Sequence, residues 1–137
     1  MSNSFIYSTG LNHVGAYQVS AQPYLSSSIT APANTSEPLE IKFGQVTKFI
    51  IVRNETDSTG DIRVGFSSGG LTGTNFVRLA VSESLSADYK VSSVFVRSDD
   101  GSTQSVSIVA GLINVPTIRL TAASPSGSNW SGSLGVG

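Results

Sequence analysis

The sequence predicts an all-β protein that folds as a single β-sandwich of about eight strands with a jelly-roll-like arrangement. The first observation behind this prediction is that apolar and polar residues alternate along most of the chain, as in strands with one buried face. The second is that Gly- and Asp-containing turns separate these segments at intervals of about 8–12 residues. The third is that no long window keeps the apolar repeat of a helix.

The first half of the chain contains four predicted strands. The first covers residues 14–21, and the second, LEIKF at 39–43, places alternate apolar side chains on one face. VTKFIIVRN, at 46–54, differs because residues 49–52 are all apolar, which predicts a strand that is central in its sheet or lies at an interface. DIRVGFS, at 61–67, alternates between apolar and polar residues and is the fourth predicted strand.

The second half contains four more predicted strands, at residues 75–81, 89–97, 104–112 and 117–121. In QSVSIVAGL the alternate apolar residues share one face, and Val109 is the exception on the other face. The pair Asp100-Gly101 predicts a β-hairpin between two of these strands, because Gly tolerates the positive φ of such turns. Residues 67–73, SSGGLTG, are predicted to form a loop.

The chain length of 137 residues fits one domain. We expect the sandwich at residues 13–123, preceded by an N-terminal arm at 1–12 and followed by a C-terminal tail at 124–137. The tail is nearly all Gly, Ser and Pro, a composition typical of a flexible segment. We expect the arm and the tail to reach between subunits and to become ordered on binding.

Composition argues against several functions. The net charge is −1 and the basic residues are scattered singly, so we expect no nucleic-acid binding. The chain has no Cys, and its one histidine, His13, is the only candidate base for a Ser-His-Asp triad. The sequence spacing around His13 does not indicate a partner nucleophile or an orienting carboxylate, and no common catalytic motif is present. We therefore expect a protein that is not an enzyme and binds no cofactor.

Acidic residues in two predicted turns offer oxygen ligands for a cation. Ca²⁺ requires about 6–8 oxygens in a tight shell, and neither turn has the spacing of an EF-hand or a calcium-binding repeat. Asp is also common in turns because its carboxylate accepts hydrogen bonds from nearby backbone N–H groups. We expect no metal site. The acidic residues concerned are Glu55, Asp57, Asp61, Asp99 and Asp100.

No segment has the about 20 apolar residues that cross a membrane, so we expect no membrane contact. The first residues, MSNSFIYSTG, lack the basic and apolar regions of a secretory signal. We therefore expect synthesis in the cytoplasm.

Large apolar side chains in polar or interfacial contexts are candidate interaction residues. Trp130, within the Gly/Ser tail, either folds back over its own domain or inserts into a neighbouring subunit. Phe49 and Ile51 either mark a subunit seam or belong to an ordinary central strand. The Tyr, Trp, Asn and Asp side chains also have the chemistry of a sugar-binding patch, which the sequence does not locate. The candidate interface residues are Phe5, Tyr7, Phe49, Ile51, Trp130 and Leu134.

Four segments carry a family resemblance that extends from Ser8 to Gly127. They are STGLNHVGAYQVSAQPYLSSS, EIKFGQVTKFIIVRN with DIRVGFSSG after it, YKVSSVFVRS, and GLINVPTIRLTAASPSG. In this order the chain resembles small virion structural proteins of tailed bacteriophages, especially large phages of marine bacteria and cyanobacteria. None of the segments is a chemical motif, so the resemblance carries over no functional residues.

The resemblance implies a component of the virus particle, made in the host cytoplasm. We expect a capsid decoration or cement protein that binds the outer surface of the phage head. Its expected partners are the major capsid protein and further copies of the chain, arranged as a homotrimer. The alternative, from another functional class, is a host-recognition module on a fibre or tail that binds cell-surface glycan.

Overall fold

The computed structural model describes residues 20–116 and 129–137. Within these residues the chain forms eight strands and one short helix. In chain order they are β1 (Gln22–Ala31), β2 (Leu39–Lys42), β3 (Gln45–Asn54), β4 (Ile62–Gly65), α1 (Ser68–Thr72), β5 (Val77–Leu79), β6 (Ser84–Ala87), β7 (Ser93–Ser98) and β8 (Gln104–Pro116). The predicted strands at 14–21 and 117–121 lie outside the described residues, except for Ser20 and Ala21, which precede β1.

The strands form two antiparallel sheets of four strands each. Sheet I has the order β1-β8-β3-β6, and sheet II has the order β2-β7-β4-β5. Among consecutive strands, only β4 and β5 share a sheet, so the other connections cross from one sheet to the other. An eight-stranded double sheet of this kind is a jelly roll. The predicted all-β sandwich is confirmed.

The core lies between the inner faces of the two sheets. Sheet I contributes Ile50 and Val52 of β3, and sheet II contributes Val94 and Val96 of β7; all four side chains are fully buried. The alternation predicted for 104–112 is confirmed, because the apolar face of β8 is buried and Val109 faces outward. Because successive side chains of a strand point to opposite faces, the residues between these buried ones face outward.

The apolar run at 49–52 belongs to β3, which lies between β8 and β6 in sheet I. This position confirms the prediction of a central strand. Ile50 and Val52 point into the core, whereas Phe49 and Ile51 are partly buried on the outer face. The run therefore supplies two partly buried apolar side chains to the outer face of sheet I.

The hairpin predicted at Asp100-Gly101 is wrong. The strands on either side, β7 and β8, belong to different sheets, so this loop is a corner between sheets. Gly101 does not have a positive φ. The Asp100 carboxylate closes the corner by accepting hydrogen bonds from the backbone N–H of Ser102 at 2.8 Å and the side chain of Gln104 at 3.4 Å.

The segment predicted as a loop at 67–73 contains α1, so that prediction is also wrong. The hydroxyl of Ser67 caps the helix by accepting a hydrogen bond from the Gly70 N–H at 2.8 Å. Leu71 is fully buried, and it packs so closely against Gly65 that a Cβ at Gly65 would overlap its Cδ1. Because Gly65 lies opposite the outward-facing Phe95, α1 covers part of the outer face of sheet II. Five residues are too few for a helical repeat to be visible in the sequence.

Among the residues that the structure describes, no helix is long and apolar enough to span a membrane.

Candidate functional site

Outward-facing side chains on sheet I form an apolar patch. Leu25 of β1 lies opposite Val109 of β8, which in turn lies opposite Ile51 of β3. Directly opposed residues of neighbouring strands project from the same face, so these three side chains lie side by side. Leu25 is 71% exposed and Val109 is 37% exposed. We refer to Leu25, Phe49, Ile51 and Val109 as the outer apolar patch.

Phe49 extends the patch because it lies opposite a glycine. Its partner in β8 is Gly111, where a Cβ would overlap Cε1 of the Phe49 ring and lie 2.7 Å from the Ala21 Cβ. The missing side chain at Gly111 therefore lets the ring lie directly over the β8 backbone. Two predicted interface residues, Phe49 and Ile51, are thus adjacent, partly buried members of the outer apolar patch.

Charges of both signs lie at one end of the outer apolar patch. Arg53 is exposed on β3 and faces the same side as Ile51, since the two residues are two positions apart. The loop that follows β3 carries the partly buried Glu55 and the exposed Asp57. The rim of the patch therefore carries both positive and negative charge.

A second apolar feature is built around the C-terminal segment, residues 129–137. Asn129 is 1% exposed, and its Oδ1 accepts hydrogen bonds from the backbone N–H groups of Ser92 at 2.8 Å and Ser93 at 3.3 Å. Its Nδ2 donates to the carbonyl oxygens of Phe66 and Ser93, both at 2.9 Å. These four hydrogen bonds fix the segment against the start of β7 and the residue that follows β4.

Trp130 packs against its own domain, which was the first of its two interpretations. Its ring contacts the main core and a smaller buried cluster of Val46, Ile113 and Val115. The indole Nε1 donates a hydrogen bond to the carbonyl oxygen of Lys90. Trp130 therefore closes one end of the sandwich.

The rest of the C-terminal segment contacts α1, and its other large side chain faces solvent. The hydroxyl of Ser67 donates a hydrogen bond to the Val136 carbonyl oxygen at 2.8 Å. Leu134 is fully exposed. The remaining candidate interface residues, Phe5 and Tyr7, lie outside the described residues, as does His13.

A cleft of about 420 Å³ opens beside Trp130. Tyr89, which is 48% exposed, packs edge to face against Phe66, with ring centroids 5.7 Å apart and planes at 81°. Asp88 is exposed at the cleft, and Val136 of the C-terminal segment lines its other side. We call this feature the aromatic cleft. The sequence gives no local indication that residues 88–91 and the tail meet, because they are joined only by the fold.

The outer face of sheet II carries a row of arginines that are far apart in the sequence and meet only through strand pairing. Arg63 lies between Arg78 and Arg97 in register. The carboxylate of Asp99 joins two of them, with Oδ1 2.6 Å from Arg63 Nε and Oδ2 3.1 Å from Arg78 Nε. The Arg63 guanidinium also lies 4.3 Å from the ring centroid of Phe76. The ion pairs of Asp99 with Arg63 and Arg78 therefore stabilise the fold.

In the part of the chain that the structure describes, no group of three or more His, Cys, Asp or Glu side chains is placed to hold a metal ion. Two of the acidic residues weighed as ligands have structural partners instead: Asp99 pairs with arginines, and Asp100 closes a loop.

The outer apolar patch and the aromatic cleft are two separate features of the described residues. The patch lies on the outer face of sheet I, and the cleft lies beside Trp130 and the C-terminal segment.

Comparisons of the chain with protein-family models, with curated proteins and with solved structures found no match.

Proposed function

We propose that the protein is a non-enzymatic virion structural protein that decorates the outer surface of a phage head as a homotrimer. The observation that carries this proposal is the outer apolar patch. Its four side chains are contiguous on one sheet face, and Leu25 is 71% exposed there. Contiguous exposed apolar surface is typical of protein–protein contact sites.

We assign the outer apolar patch to a second copy of this chain. The basic Arg53 and the acidic Glu55 and Asp57 at its rim allow a rotated copy to place opposite charges together. The net charge of −1 means that neighbouring copies in an array repel one another little. Each contact can be weak, because the contacts of many copies reinforce one another.

The fold supports the same proposal by analogy. Jelly rolls of eight strands occur in viral capsid domains and also in lectins. Because a shared fold does not define a function, the fold supports the assignment to a virion but is not sufficient for it. The resemblance of the sequence segments to phage virion proteins points in the same direction.

Co-sedimentation tests the proposal. Purified protein is mixed with undecorated capsids assembled from the major capsid protein of the phage that encodes it, and it should pellet with them at a saturating stoichiometry. In parallel, sedimentation velocity should detect a trimer of the free protein. Binding to host cells or their polysaccharide without binding to capsids would contradict decoration and favour the host-recognition alternative.

A pair of variants connects this test to the patch. Leu25→Ser should weaken self-association by about tenfold or more, which corresponds to about 1.4 kcal/mol. The leucine is largely exposed in the monomer and would be buried between copies, and the serine would bury less apolar surface there. The control is Val77→Ser, which changes another exposed apolar residue, 45% exposed on an edge strand of sheet II. Equal self-association of both variants and the original chain would exclude the patch as the seam.

A further inference from the structure

We propose that the aromatic cleft binds a neutral hexopyranose unit of a glycan, with Tyr89 and Asp88 as the recognition residues. This inference goes beyond the proposed assembly function, because the cleft is separate from the outer apolar patch. It depends on the shape of the cleft, on aromatic rings that are already fixed, and on an exposed carboxylate beside them.

The cleft has the size of a small-ligand site. Its volume of about 420 Å³ lies within the range of about 300–1,000 Å³ that is usual for such sites. Phe66, Tyr89 and Trp130 supply aromatic surface, and Val136 supplies aliphatic surface above the buried Val91. This lining provides a large apolar contact area with few polar groups, as sites that bind partly apolar ligands usually do.

The aromatic rings of the cleft are held in place before any ligand arrives. Tyr89 is packed edge to face on Phe66, and Trp130 is anchored through its Nε1 hydrogen bond to the Lys90 carbonyl. Fixed side chains lose little conformational entropy on binding, so more of the contact energy remains as affinity. Tyr89 is 48% exposed, so a ligand that covers its ring removes apolar surface from water.

The polar group beside these rings is a carboxylate. Asp88 is exposed and makes no hydrogen bond or ion pair in the described ranges 20–116 and 129–137. A carboxylate accepts hydrogen bonds through both oxygens, so it can bind two hydroxyl groups at once. A pyranose presents a C–H face beside an edge of adjacent hydroxyl groups, and it therefore matches an aromatic ring beside a carboxylate.

The charge of Asp88 also selects against other ligands. A carboxylate in the lining repels phosphates and acidic sugars, so a neutral sugar is favoured over a nucleotide or a sialic acid. Lys90, which also lines the cleft, already has an interaction within the protein. Asp88 is thus the charged lining side chain for which the described ranges show no partner, and its carboxylate is an acceptor.

Trp130 provides a site-specific test, because it is the only Trp in the chain. Its fluorescence and its indole N–H signal in NMR spectra report on the cleft and on the apolar clusters beneath it. Maltose, lactose and cellobiose are titrated separately into the full chain. At least one sugar should give a saturable change with a Kd on the order of 1 mM.

Variants separate recognition from nonspecific effects. Tyr89→Ala and Asp88→Asn should each weaken the binding of that sugar by about tenfold or more, whereas Tyr89→Phe, which keeps the ring, should retain most of it. Leu25→Ser should bind the sugar normally, because it alters only the outer apolar patch. The proposal is overturned if none of the three sugars gives a saturable change, or if Tyr89→Ala responds like the original chain.

Discussion

The side-chain amide of Asn129 hydrogen-bonds to both backbone groups of Ser93. Its Nδ2 donates to the Ser93 carbonyl oxygen at 2.9 Å, and its Oδ1 accepts from the Ser93 N–H at 3.3 Å. The pairing of β4 with β7 ends at Gly65 and Phe95, two residues away from Ser93. The amide of Asn129 therefore takes the place of a strand partner where β4 has ended, and it joins the chain terminus to sheet II.

Replacing Asn129 by Ala should destabilise the protein strongly. The change removes the partner of two backbone N–H groups and two carbonyl oxygens at a site where the side chain is 1% exposed. Leaving buried polar groups unsatisfied costs about 1–3 kcal/mol each, and partial relaxation should reduce the total to about 2–4 kcal/mol. Urea denaturation measures this loss.

Leu134→Ala is the control for Asn129→Ala, because it changes the same segment at a fully exposed position. Its stability should stay within about 0.5 kcal/mol of the original chain. If Asn129→Ala proved equally harmless, the described hydrogen bonds would not hold the segment in solution.

Ending the chain at Ser128 should lower the melting temperature, because Trp130 leaves the two apolar clusters that it joins. The milder change Trp130→Phe keeps a ring but loses the donor to the Lys90 carbonyl, and it should cost about 1–3 kcal/mol. Differential scanning calorimetry measures both variants. A truncated chain with an unchanged melting temperature would show that the tail acts only outside its own domain.

The inner strands could be predicted from the sequence, but the edge strands of sheet I could not. β3, β4 and β8 have neighbours on both sides and a buried inner face, so their apolar residues stand out. β1 and β6 are edges, with several Ser residues and no more than one fully buried side chain in either strand. An edge strand has only one ladder of partners, so its sequence is less constrained.

The sequence allowed the residues of a candidate surface to be grouped only where they lie on the same strand. Phe49 and Ile51 were visible in an apolar run of β3, but Leu25 joins them only because β1 lies two strands away in the same sheet. Tyr89 and Trp130 are distant in sequence, and the position of residues 129–137 on the sandwich places both side chains at one cleft. Likewise, the composition of the Asp100-Gly101 turn does not indicate which sheet the next strand joins.

Removing the carboxylate of Asp99 should destabilise sheet II. In Asp99→Ala, the opposed Arg63 and Arg78 lose the group that joins them, while Arg63 remains largely buried, with its side chain 22% exposed. We expect a loss of about 1–2 kcal/mol in the free energy of unfolding, because hydrogen bonds to charged groups contribute about 1.5–3 kcal/mol and Arg78 is half exposed.

Lys42→Ala provides the comparison for Asp99→Ala. Its ion pair with Glu40 is 4.0 Å long, and the lysine side chain is 78% exposed. An exposed pair of this kind contributes little, so unfolding in urea should change by less than about 0.5 kcal/mol. Equal effects of the two substitutions would mean that the Asp99 bridge adds nothing beyond an ordinary surface pair.

Gly111→Ala should destabilise the protein through Phe49. The added Cβ overlaps the Phe49 ring and lies 2.7 Å from the Ala21 Cβ, so side chains above β8 must move. Such overpacking costs about 1–3 kcal/mol, which exceeds the about 0.5–1 kcal/mol that Ala usually gains over Gly within a strand. If the ring is the main obstacle, Phe49→Ala combined with Gly111→Ala should be more stable than the sum of the two single effects predicts. Chemical denaturation of the four chains measures this coupling, and strictly additive effects would show that Phe49 does not rest on Gly111.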